Sequence, residues 1–101
     1  MGNAAGEEID AAIAAADVAL STIRLIGDSQ EKLEAAGRLV EALRSRSDDA
    51  ARIRHAEAVR IFETEKLSLA QLAGRVGVSK ARADQIIKAE ERRQKEEAGN
   101  A

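Results

Sequence analysis

Apolar residues return along this chain at alternating intervals of four and three, and the places where that rhythm breaks mark its elements. Ile9, Ile13, Ala16, Leu20 and Ile23 make one such seam, the narrow stripe of an amphipathic helix. Glu7, Glu8 and Asp10 crowd its start, where the helix dipole favours negative charge, and Gly27 is expected to stop it. Asp28 then caps the next helix with Glu31 at the reciprocal box position, and Leu33, Ala36, Val40 and Leu43 repeat the rhythm. Residues 7–46 thus read as a helical hairpin, preceded by residues 1–6 as a disordered tail.

Ser47-Asp48-Asp49 carries a second cap signature, opening a helix from Ala50 to about Glu65 with Ile53 or Ala56, Ala58, Ile61 and Phe62 as its stripe. No proline enforces a break between Leu43 and Ile53, so a continuous rod is equally compatible. Ser68, with Gln71 three places on and Leu67 and Leu72 as a hydrophobic staple, opens a short helix. Gly77 can then take a left-handed turn cheaply, Val78 is buried, and Ser79 caps a further helix. The two helices must meet steeply, with small Ala73 at the close approach and Leu72, Val76, Val78, Ala83 and Ile86 facing inward. The last helix continues past Ile87 and Lys88, with Glu91 and Lys95 paired at i, i+4. Residues 48–93 form one three-helix domain, and residues 94–101 a frayed tail.

Composition agrees with an all-α fold: no proline, Phe62 as the single aromatic, and helix formers throughout. A chain of 101 residues built so largely on alanine has a modest core, and a second copy is the expected remedy. The hairpin seam (Ile9, Ile13, Ala16, Leu20, Ile23, Leu33, Val40, Leu43) is therefore assigned to homodimerisation as a small two-fold bundle, the alternative being a monomer whose hairpin packs onto its own C-terminal domain. The absence of cysteine excludes disulfides and thiolate zinc sites and fits a reducing cytoplasm. Asp10, Asp17 and Arg24 interrupt the apolar run and the start is acidic, so neither a membrane span nor an export signal is expected. His55 stands alone, with no phosphate loop, nucleophile–base pair or metal-spaced set elsewhere. No enzyme activity, cofactor, metal or small-molecule substrate is expected.

Formal net charge is −2, but it divides unevenly. Residues 1–49 hold ten acids against five bases, and residues 50–101 eleven bases against eight acids, so any polyanion belongs with the second half. Helical geometry there turns Lys80, Ala81, Asp84, Gln85 and Lys88 outward on one stripe. Lys80 can donate to guanine, Gln85 can pair with adenine, and Ala81 can meet a thymine methyl. Asp84 either accepts from cytosine or, the favoured role, tethers Lys80 or Lys88. Arg82 and Arg75, with the capping amides at Ser68 and Ser79, are aimed at phosphates.

The spacing of Ala73, Gly77, Val78 and the apolar set resembles the helix-turn-helix of DNA-binding repressors, which implies a second helix lying in the major groove. Ser79-Lys-Ala-Arg-Ala-Asp-Gln-Ile is also similar to the recognition helix of region 4 of bacterial sigma factors, which looks like Thr-Arg-Glu-Arg-Ile-Arg-Gln-Ile. Ser79, Lys80, Arg82, Gln85 and Ile86 match in kind. Ala81 and Asp84 replace a base-reading glutamate and a contacting arginine of that family, which implies that a different sequence is read. The expectation is a dimeric transcriptional regulator on double-stranded DNA, cytoplasmic and nucleoid-associated, reading an inverted repeat. The alternatives are a helical adaptor docking on RNA polymerase or a partner regulator, and a DNA-segregation or conjugation control protein.

Overall fold

The computed structural model describes residues 4–99 as four α-helices, with no strand among the described residues. They are α1 (Ala4–Arg24), α2 (Ser29–Thr64), α3 (Leu69–Val76) and α4 (Lys80–Gly99). The all-α expectation holds, and several helix ends depart from it. α1 begins at Ala4, so residues 4–6 are helical rather than part of a tail, Ala4 and Ala5 being the strongest of helix formers. Residues 1–3 of that tail lie outside the described residues. Gly27 does not end α1 through a left-handed cap. The helix instead tightens after Arg24, the Leu25 and Ile26 N–H groups donating to the carbonyls of Thr22 and Ile23 at 3.1 and 3.0 Å.

Ser47-Asp48-Asp49 opens no helix, because α2 runs unbroken through it for 36 residues. No glycine or proline occurs between Gly37 and Gly74, so each interior N–H keeps its carbonyl four residues back. A side-chain cap would satisfy only one or two such groups, and Ser or Asp inside a helix costs only about 0.5 kcal/mol each. The Asp28 cap does form, its Oδ2 accepting from the Glu31 N–H at 2.8 Å. Residues 94–99, expected to fray, belong to α4, where Arg93 pairs with Glu97 at 2.6 Å across one turn. The remainder of that tail, residues 100–101, lies outside the described residues.

The chain divides between Ser45 and Arg46 into two compact units. In the first, α1 and the opening part of α2 contain no buried residue. Ala16, Ala19, Ile23 and Ile26 are half-buried, as are Ala35, Ala36, Leu39 and Ala42, while Ile9, Ile13, Leu20, Leu33, Val40 and Leu43 remain exposed. A cavity of about 300 Å³ lies between the two helices, lined by Ala19, Ile23, Ala35, Arg38, Leu39 and Ala42. Its lining is half-exposed, so this space is a groove open to solvent.

The second unit holds the core: Ala58 and Val59 of α2, Leu72 and Ala73 of α3, and Ala83, Ile86 and Ile87 of α4. Phe62, Leu67, Leu69, Val76 and Val78 pack around it. The α2 stripe runs through half-buried Ala56, leaving Ile53 exposed. α2 ends by a left-handed residue that is not glycine. Lys66 has φ 53°, and beyond it the Leu67 N–H returns to the Phe62 carbonyl at 3.1 Å.

Candidate nucleic-acid interface

The outward face of α4 is set by what its inner face buries. Ala83, Ile86, Ile87 and Glu90 are sunk, which leaves Lys80, Ala81, Gln85 and Lys88 exposed and Asp84 half-buried at the margin. Two caps and one turn fix where this face begins. Ser68 and Gln71 satisfy each other reciprocally at the start of α3: the Gln71 N–H donates to Ser68 Oγ at 3.1 Å, and the Ser68 N–H to Gln71 Oε1 at 2.9 Å. Gly77, at φ 84° and ψ 35°, ends α3, and the Gly77 and Val78 N–H groups both donate to the Ala73 carbonyl, at 2.8 and 3.0 Å. A Cβ at Gly77 would touch nothing within 4 Å, so glycine is required by the backbone rotation and not by crowding. Ser79 Oγ then accepts from the Arg82 N–H at 3.1 Å and starts α4.

The charged groups on this surface are not equally free. Lys88 donates to Asp84 at 2.8 Å, a bond and charge that raise the lysine above its ordinary pKa. Asp84 thus tethers Lys88 rather than Lys80, whose ammonium has no carboxylate partner among the described residues. Arg82 lies 3.5 Å from Gln85 Oε1, the outer limit of a hydrogen bond, and both side chains stay available. Arg75 is more committed: its fork donates to both Glu65 oxygens, at 2.8 and 3.1 Å. That bond holds the Glu65 carboxyl below its usual range and raises Arg75. The Ser68 amide is likewise taken by Gln71, so Arg82 is less encumbered than Arg75 or the Ser68 amide as a phosphate ligand.

Three further residues shape the site without being legible as part of it. Glu65 and Arg75 are ten positions apart, and Arg54 donates to the Val76 carbonyl at 3.1 Å across twenty-two, separations that no helical spacing encodes. Arg54 thereby ties α2 to the last turn of α3. Glu90 is a buried carboxylate, 4 % exposed, held by Arg93 on its own helix and by Gln94 at 3.2 Å. Arg93 chiefly lowers its pKa against the opposing effect of burial, with Gln94 and the nearby His55 adding to the lowering. His55 is half-buried beside this group. Among the described residues no cluster of three His, Cys, Asp or Glu side chains could hold a metal ion, and no helix is long and apolar enough to cross a membrane.

No family model matches the chain, and no curated protein or solved structure matches it closely enough to carry an argument.

Proposed function

We propose that the chain binds double-stranded DNA through a helix-turn-helix formed by α3 and α4, with the last part of α2 as its third helix and α4 in the major groove. It acts as a dimeric transcriptional regulator at an inverted repeat, in the cytoplasm on the nucleoid. The observation that carries this reading is the stripe of Lys80, Ala81 and Gln85, exposed on α4 opposite its buried apolar face and flanked by exposed Arg82, with Lys80 unopposed by any described carboxylate. Lys80 and Gln85 supply hydrogen bonds to base edges, Ala81 an apolar contact, and Arg82 a phosphate anchor. Lys88 reads a base only by leaving Asp84, so it adds less than an unpaired lysine.

The test is selection of bound duplexes from a random pool, followed by titration on the selected site. Lys80→Ala or Gln85→Ala costs about 1–3 kcal/mol there and relaxes discrimination at one position. Arg82→Ala weakens all sequences alike, and affinity falls steeply with added salt. A pool that yields no enriched sequence, or binding indifferent to salt, overturns the proposal.

A further inference from the structure

Among its described residues the first unit leaves eight large apolar side chains in water, Val18 and Leu25 lying off the two helical stripes and the other six on them. Ile9 and Ile13 are 59 % and 57 % exposed, Leu20 38 %, Leu33 66 %, Val40 49 % and Leu43 43 %. At about 100° per residue, Ile9, Ile13 and Leu20 fall within about 40° of one another on α1, and Leu33, Val40 and Leu43 within about 80° on α2. Seen from each helix's own N-terminus, both stripes are rotated clockwise from the half-buried residues that line the cavity between α1 and α2 (Ala19 and Ile23, Leu39 and Ala42). After the link at residues 25–28 the second helix doubles back on the first. Equal rotations on two antiparallel helices bring both stripes to the same side of the pair, so the six residues make one apolar face.

We infer that a second copy of the chain covers this face across a two-fold axis parallel to the helices, laying α1 of each copy against the opening part of α2 of the other. Two observations choose this occupant and this axis. The first is charge. α1 carries Glu7, Glu8, Asp10 and Asp17 against Arg24 alone, whereas residues 29–45 balance Glu31, Glu34 and Glu41 with Lys32, Arg38 and Arg44. An axis perpendicular to the helices would set acidic α1 on acidic α1. The parallel axis sets α1 on the neutral helix and brings the outer margin of its stripe, which carries Asp10, against the outer margin of the other, which carries Arg44. Among the described residues Arg44 pairs with Glu41, at 3.3 Å with both side chains largely exposed, a pair that costs little to give up.

The second observation is the missing interior. With no buried residue, this unit has no core until something covers it, and two helices about 30 Å long offer roughly 600 Å² per copy, the lower end of what stable interfaces bury. The two chains then leave the bundle at the same end. The inference rests on the two-copy part of the function proposed above and is independent of its DNA part.

Sedimentation equilibrium of the full chain without DNA tests it. The expected mass is that of two 10.8 kDa chains. Leu33→Glu combined with Val40→Glu gives single chains. Asp10→Arg or Arg44→Asp alone raises the dimer dissociation constant about tenfold, two symmetry-related pairs turning from attraction to repulsion, and the double reversal restores it. These charge changes lie at exposed positions and leave the helices intact. Single chains at every concentration, a dimer indifferent to Leu33→Glu with Val40→Glu, or reversals that do not rescue each other overturn the inference. Enrichment of a sequence from the duplex pool does not depend on these outcomes, whereas its inverted-repeat symmetry does, so the DNA reading and the two-copy reading fail separately.

Discussion

The two units draw on the same residues and bury them differently. Both place Ala, Leu, Ile and Val at helical spacing, yet the second encloses Val59 and Leu72 to 1 % exposure while the first encloses nothing. A side chain between two parallel rods has neighbours on one side. One at the meeting of three helices, two of them joined by a tight left-handed turn, is surrounded. Periodicity therefore fixes which face of a helix is apolar, while the number of elements converging on it decides whether that face is covered.

Mutations can sharpen this contrast. Leu72→Ala should remove about 2–5 kcal/mol from the second unit, whereas Leu33→Ala in dilute single chains should cost well under about 1 kcal/mol; denaturant titration measures both. Comparable losses would mean that the first unit has a core of its own. Gly77→Ala should cost about 1–2 kcal/mol, the penalty of a side chain in left-handed backbone, with no steric term because the space is open. Glu90→Gln should cost about 1 kcal/mol near neutral pH by weakening the hold of Arg93. Its effect should fade in acid. A carboxyl held below its ordinary pKa contributes stability that is fully present above that ordinary value and is lost as pH falls through the lowered one. Parallel pH–stability curves for the variant and the parent would remove Glu90 from that role. Lys66→Gly should gain up to about 1 kcal/mol by relieving the left-handed lysine, read as a rise in thermal midpoint.

Much of the second unit was legible because its signals are local. Ser68 with Gln71, Gly77 and Ser79 each declare a helix end within four residues, and Leu72, Ala83 and Ile86 follow from those ends by counting. The Ser47-Asp48-Asp49 signal misled for the same reason: it is local, and nothing adjacent weakened the helix it would have had to interrupt. The grip of Glu65 on Arg75, which limits Arg75 as a phosphate ligand, and of Arg54 on the α3 terminus depends on which helices come together, and spacing along one helix carries no trace of it. The burial of Glu90 escaped because a carboxylate is expected to face water, and only its Arg93 partner on the following turn hinted otherwise.

The unbroken course of α2 has a consequence of its own. Every residue from Leu43 to Ala50 is exposed, so no buried packing supports this midsection beyond its helical hydrogen bonds and surface side-chain pairs such as Arg44 with Glu41. Its amide protons should trade with deuterium sooner than those around Val59, and a protease that needs a few residues unwound should cut there first. A rod that is continuous in outline is thus weakest at its centre, where neither end lends it any shelter.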